Sequence, residues 1–380
     1  MRRTAVVALA ACVALAGCAA SIEPPSGPAS QLRPVAYDDL PGWRDDRVAE
    51  LLPAFLHQCH RLALLTPDTA LGGAGSAQAA GGKVGNWAPF CAAVKWVPPG
   101  DDAAARKVIA AWLQAYSVSD RGNPAARFTG YFEPEVPGSL FPDATHTVPV
   151  YRLPKDPRAR QETRAQIDQG ALHGRGLAIA WLTSPVDLFF LQLQGSGRVR
   201  LRSGQIIRLS YAGRNDQPYV PLGRVLVQQG DLAADAVSMQ SIRAWLTAHP
   251  SQAQTMMEQN PDYVFFRLEN DLLPDQGPIG ALGVALHPLR SLAIDRKFLP
   301  LAAPVWVDTT IPDGRRLQRL MLAQDLGTDI TGPTRADIFF GWGDEAASLA
   351  GAMHAGGSLA VLLPRPPYKP TPASAQSSDQ

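Results

Sequence analysis

Apolar positions along the chain follow two periods in turn. From 45 to 66, Val48, Leu51, Leu52, Phe55, Leu56, Cys59 and Leu62 recur at the spacing of a helix face, with Asp45 or Asp46 placed to cap its start. Residues 101–117 predict a second helix and 157–169 a polar one. Between 127 and about 152 the pattern is β-like but is cut into short pieces by Pro134, Pro137 and Pro142. Apolar or alternating runs predict strands at 177–182, 187–194, 198–202 and 205–211, the last two joined by the hairpin pair Ser203-Gly204. Helices are predicted at about 238–248 and 251–259, ended by Asn260-Pro261. Strands at 305–308, 318–325, 336–341 and 358–364 follow, with one helix at 344–354 among them. The Gly/Ala-rich stretch 71–86 reads as a mobile loop, and 366–380 as a disordered tail. The pattern as a whole is mixed α/β with mainly antiparallel short strands, hence a barrel or a sandwich.

Composition narrows this picture. The 380 residues are 46% hydrophobic and 18% charged, enough apolar material for a sizeable core. With 33 Gly and 34 Pro, turns and short strands are favoured over a helical bundle. The 35 basic and 34 acidic side chains leave a net charge of +1, so no electrostatic case exists for a nucleic-acid partner.

The N-terminus carries an address. Arg2 and Arg3 precede an apolar run at 4–16, too short to span a bilayer, which predicts a cleaved signal peptide at 1–17. Leu15-Ala16-Gly17-Cys18 resembles the bacterial lipoprotein cleavage box. That resemblance implies cleavage before Cys18 and a lipid on its thiol, so the chain would be anchored and not spanning. Ala19, not Asp, follows; by resemblance to Gram-negative sorting signals this implies the outer membrane, facing the periplasm. An ordinary secretory signal is the alternative. Residues 18–44 then read as a tether. With Cys12 in the leader and Cys18 lipidated, Cys59 and Cys91 remain, and in an oxidising compartment two cysteines most simply pair. Zinc at His57-Gln58-Cys59-His60 is the rival reading, but the histidines diverge on a helix and no second ligand pair is evident.

Candidate chemistry gathers in three places. Asp295, Asp325 and Asp337 each sit in β-like surroundings near the C-terminus. Alternation puts Asp337 on the face of Phe339, with Ala336, Ile338 and Phe340 opposite, so its carboxyl is desolvated and suited to donate a proton near neutral pH. Gly341-Trp342-Gly343 follows at once, glycines permitting close approach and an indole able to stack on a sugar. The plainer reading is a strand-edge aspartate bonded to backbone amides. The second place is Phe128-Thr129-Gly130-Tyr131-Phe132-Glu133, a hydroxyl, a glycine, an aromatic ring and an acid together. The third is Gln192-Leu193-Gln194-Gly195-Ser196-Gly197, read as a turn between strands exposing Gln194 and Ser196. Glu133 and Glu135 flank Pro134 and read as an exposed turn. Neutral polar groups and aromatics around one acid suit a carbohydrate polymer better than a phosphate or a metal. Phosphate-binding glycine loops, HExxH and the GxSxG elbow are absent from the sequence.

In order, FTGYFEPE, YRLP, LQLQGSGRVRL, LSYAGRNDQPY, PIGALGVALHPLRSLAIDR, AQDLGTDITGPTRADIFFGWGDEA and GSLAVLLP resemble the MltA-type membrane-bound lytic transglycosylases, and the last part resembles the 3D domain, named for three aspartates. The resemblance implies a mainly β fold with peripheral helices: a double-psi β-barrel at 45–145 plus 284–365, with a second, smaller β-domain inserted at 146–283. It implies a groove for peptidoglycan glycan strands. It places the catalytic acid on Asp337, substrate-binding residues on Thr129, Gly130, Tyr131, Gln194, Gly195 and Ser196, and supporting roles on Asp325 and Asp295. The implied activity is that of a peptidoglycan lytic exotransglycosylase, a carbon–oxygen lyase leaving a 1,6-anhydro end, with no metal or organic cofactor and with other cell-wall enzymes as candidate partners. Leu326 and Thr328 depart from the family's usual threonine and glycine beside Asp325, which bears on the environment of Asp337. Two alternatives stand beside this one: a non-catalytic peptidoglycan-binding lipoprotein on the same scaffold, and a hydrolysing glycosidase, which would need a second carboxylate across the groove.

Overall fold

A computed structural model describes residues 30–365; the expected signal peptide, the expected lipidation site Cys18 and the expected tail lie outside them. The strands are β1 (Ser30–Pro34), β2 (Leu113–Asp120), β3 (Ala126–Glu133), β4 (Glu135–Ser139), β5 (Val148–Tyr151), β6 (Ala178–Leu182), β7 (Ser196–Arg200), β8 (Ile206–Arg214), β9 (Val264–Glu269), β10 (Ser291–Ile294), β11 (Pro304–Thr310), β12 (Arg316–Leu326), β13 (Arg335–Trp342) and β14 (His354–Pro364). One sheet runs β1-β2-β14-β11-β12-β10-β13-β3, and β3 pairs again with β14. That second pairing closes β14, β11, β12, β10, β13 and β3 into a six-stranded barrel. The pairs β10–β12 and β13–β3 are parallel and the remaining pairs of this sheet antiparallel, as a double-psi barrel requires. A second sheet has the order β5-β6-β4-β7-β8-β9. Closure leaves no free edge on the barrel itself, which suits a wall that must hold a reactive group still.

The barrel core is built from the long apolar runs: Val305, Val307, Leu320, Leu322, Ile338, Val361 and Leu362 are all fully buried. Three helices, Leu52–Ala63, Ala88–Val94 and Asp102–Trp112, cap it, and their inward side chains Phe55, Phe90 and Ile109 join the same core. Cys59 and Cys91 are disulfide-bonded across 32 positions, joining the first two of these helices. Replacing both by serine is expected to lower unfolding free energy by about 4 kcal/mol on the chain-entropy account, read as a lower urea midpoint with a somewhat larger m-value, since the freed unfolded chain expands.

The structure corrects several expectations. The stretch 187–194 is a helix, Pro185–Gln194, not a strand. Ser184 accepts the Asp187 amide, Pro185 occupies the first turn, and Gly195 ends it at φ 74, so start and stop signals overrode an apolar run that also fits a buried strand. The helix expected to reach 117 stops at Trp112, because β2 is needed between β1 and β14. The stretch 71–86 is ordered: the helix Gly75–Gly81 buries Ala77, and Trp87 donates its indole N–H to Gly81 at 2.9 Å. The expected tether is shorter than 18–44, since β1 pairs with β2 and Leu40 and Trp43 are buried in the barrel core. The change from first sheet to second falls at Pro134, ahead of the expected boundary at 145/146, because β4 pairs with β6 and β7.

Candidate active site

Asp337 lies mid-strand in β13, and its location follows from parallel register. Asp337 stands opposite Thr129 and Phe339 opposite Tyr131 on β3. Alternation then sends Ala336, Ile338 and Phe340 into the barrel core and leaves Asp337, Phe339, Thr129 and Tyr131 on the other face. On its other side β13 meets β10, where the residue facing Asp337 is Ala293, small and uncharged. Gly130 is required between them: a Cβ there would lie 2.6 Å from the Phe340 ring and 2.8 Å from the Ala350 backbone, so a side chain would push away the helix Gly343–Ala352.

The polar groups of this face are mutually bonded. Thr129 Oγ1 donates to Asp337 Oδ1 at 2.7 Å and accepts from Arg335 Nη2 at 2.7 Å. Tyr131 donates its hydroxyl to Asp325 Oδ2 at 3.0 Å, and the Ala281 amide donates to Asp325 Oδ1 at 3.0 Å. The Tyr131 ring packs on Phe339, with centroids 5.3 Å apart. Desolvation pushes the Asp337 carboxyl up to about 6; the Thr129 bond and the Arg335 charge pull against this, and Asp325 adds to it. Asp325 is raised too, first by desolvation, with the Leu326 and Ala281 amides and the Tyr131 hydroxyl opposing. Asp295 is apart from this cluster. It accepts the Gly332 amide at 2.9 Å and the Lys297 amide at 3.0 Å, tying the turn after β10 to the segment that leads into β13.

The remaining residues singled out in the sequence sit at the junction of the two sheets. Gln194 is half-buried and its Oε1 accepts the Phe132 amide at 3.1 Å, so its carbonyl is spent on the barrel backbone. Gly195 is the helix cap, and Ser196 begins β7 and is buried at 7% exposure, not displayed on a turn between strands. Glu133 is the largest correction. It is fully buried, not part of an exposed turn, and both its oxygens are bound: Arg198 reaches Oε2 at 2.8 Å, and Arg208 reaches Oε1 and Oε2 at 2.9 Å. The Arg198 guanidinium also lies 4.1 Å over the Trp342 ring, so one indole face expected to be open to a sugar is taken. At the far end of the same wall, Arg214 of β8 reaches Thr328 at 3.5 Å. The second domain thus contacts the barrel on both sides of Asp337 along the chain. Among the described residues, no group of three or more His, Cys, Asp or Glu side chains is placed to hold a metal ion.

Fold and site together define a class: a closed β-barrel with an inserted β-domain and two desolvated, hydrogen-bonded acids on the barrel, Asp337 and Asp325, beside their junction. Residues 127–267 match the MltA specific insert domain and residues 290–363 the 3D domain. The membrane-bound lytic murein transglycosylase A of Escherichia coli K12 is 32% identical over 288 residues, 73% of this chain and 76% of that protein. The Vibrio cholerae protein of the same name is 32% identical over 233 residues, 59% of this chain and 61% of its own length. Among solved structures, the membrane-bound lytic murein transglycosylase from Agrobacterium tumefaciens superposes with TM-score 0.77 at 32% identity, covering 88% of this chain and 98% of that one. Escherichia coli MltA with bound chitohexaose superposes with TM-score 0.66 at 28% identity, covering 83% and 90%. The chain belongs to the MltA family of lytic transglycosylases.

Proposed function

We propose that this protein cleaves the β-1,4 bond between N-acetylmuramic acid and N-acetylglucosamine in peptidoglycan strands, using Asp337 as its one acid and base and leaving a 1,6-anhydromuramyl end. The observation that carries this reading is a proton-holding carboxyl without a second free carboxylate beside it. Asp337 titrates near 6, while both oxygens of Asp325, the neighbouring acid, are held by Tyr131 and Ala281. Glycosidases that use water need two carboxylates in separate roles. An intramolecular nucleophile removes that need: the muramyl C6 hydroxyl is already tethered to the ring it attacks, so its effective molarity is high. Asp337 donates its proton to the bridging oxygen as the C1–O4 bond breaks. The C6 oxygen then bonds to C1, and its proton passes to the Asp337 carboxylate, restoring the acid. Thr129, Gly130, Tyr131, Gln194, Gly195 and Ser196 would line the strand's path, with Asp325 and Asp295 in support. A relative solved with chitohexaose bound supports a glycan-strand substrate. We also place the protein, by its leader, as a lipid-anchored outer-membrane protein facing its substrate in the periplasm.

The reading predicts a pH profile. A general acid must enter the reaction protonated, so release of soluble muropeptides from murein sacculi should decline as pH rises through about 6, approaching a tenfold loss per unit above it. Turnover rate against pH between 4 and 8, at saturating sacculi, checks this. A rate that climbs through pH 6 would require the ionised carboxylate at the start and would favour a base-first mechanism.

A further inference from the structure

We infer that Arg335 is a positioning residue that fixes the acid proton on one oxygen of Asp337, Oδ2, by controlling the direction of the Thr129 hydroxyl; this rests on the function proposed above. A threonine hydroxyl carries one proton and accepts through its lone pairs. Arg335 Nη2 donates into Thr129 Oγ1, and Asp337 Oδ1 is the acceptor found for the hydroxyl's own proton among the described residues. Were the carboxyl proton on Oδ1, two donors would meet and the threonine proton would lose that acceptor. With the proton on Oδ2, each group of the chain Arg335–Thr129–Asp337 donates once in the same direction. Oδ2 has no hydrogen-bond partner among the described residues, so the oxygen left free of the protein is the one that bears the proton.

The guanidinium is built for this task and not free to turn away. Nη1 donates to the Ala336 carbonyl at 2.8 Å, a second anchor beside the Thr129 contact, and Nε has no partner among the described residues. A planar fork held by Thr129, by the Ala336 carbonyl and, at 3.4 Å, by the Arg127 carbonyl keeps its direction better than a lysine ammonium would. Other charges face this group from each element around it. Asp325 of β12 acts on Asp337 and, with Asp337, on Tyr131 of β3; Asp329 and Arg127 act on Arg335; β10 presents Ala293. Among the described residues Arg335 is the cation that acts on Asp337, so its loss leaves the carboxyl with Asp325 as its charged neighbour.

The test is a carboxyl carbon NMR titration of the folded protein, the Asp337 signal assigned by its loss in Asp337→Asn, run beside muropeptide release. In Arg335→Gln and in Thr129→Val the titration midpoint should rise by about one unit, because each substitution removes a group that favours the carboxylate, and the pH at which muropeptide release declines should rise with it. Arg335→Lys should recover part of the shift. Combining Arg335→Gln with Thr129→Val should move the midpoint less than the sum of the two, because one acts through the other. Melting curves check that each variant is folded. An unchanged midpoint in folded Arg335→Gln, or strict additivity, overturns the inference. Midpoints that move less than additively in a protein that releases nothing from sacculi uphold the relay through Thr129 and overturn the proposed function.

Discussion

Asp337→Asn is expected to lower glycan-strand cleavage about a thousandfold, because the amide keeps the shape and still accepts from Thr129 but has no proton to give. The same substitution should stabilise the fold at neutral pH, and the sign follows from linkage. The native carboxyl titrates near 6 against a reference of 3.8, so the folded state holds its proton more tightly than the unfolded one. Stability due to this group is therefore fully present below the reference value and lost as pH rises through 6. The variant, which has nothing to ionise, should match the parent at acid pH and exceed it by up to about 3 kcal/mol above pH 6. Activity lost with stability gained is the signature of a carboxyl held for chemistry. Urea unfolding at pH 4 and at pH 8 reads it. A variant destabilised at both values would show that Asp337 holds the strand pair together instead.

Glu133→Gln is expected to be the most damaging isosteric change to stability, at about 3–5 kcal/mol, because it strips the counter-charge from two buried arginines and leaves them unpaired. Glu133 ends β3 of the barrel, while Arg198 and Arg208 come from β7 and β8 of the second sheet. The effect should therefore appear as weakened coupling of the two domains: an earlier melting transition, or two transitions where the parent has one. A loss below about 1 kcal/mol would mean that backbone carbonyls, those of Pro274 and Gln276 at Arg198 and that of Leu273 at Arg208, suffice to hold the arginines.

The barrel strands were legible in the sequence because β11, β12, β13 and β14 each hold an apolar run, Val305–Val307, Leu320–Ala323, Ile338–Phe340 and Leu359–Leu363, and a wall buried by its own closure produces that pattern. The one acid interrupting β13 stood out for the same reason. Helix Pro185–Gln194 was not legible from its apolar residues, since the run Leu188–Leu191 with Leu193 fits a buried strand equally well. Its true signals were Ser184, Pro185 and Gly195 at the two ends. Glu133 was misread because its only local cue, Pro134, says turn, whereas its partners lie 65 and 75 positions away. Arg335 gave no cue for the same reason: its contact to Thr129 spans 206 positions and exists only once β3 and β13 pair in parallel. Local chemistry can be read from neighbours in sequence, but a relay across two strands can be read only from their register.

The account turns on whether the sugar or water attacks, and the mass of the new chain end decides it. Sacculi digested with the protein and analysed by mass spectrometry should yield muramyl ends one water lighter than reducing ends, from the parent and not from Asp337→Asn. Reducing muramyl ends from the parent would contradict it: water would be the nucleophile, and a second carboxylate would have to act with Asp337.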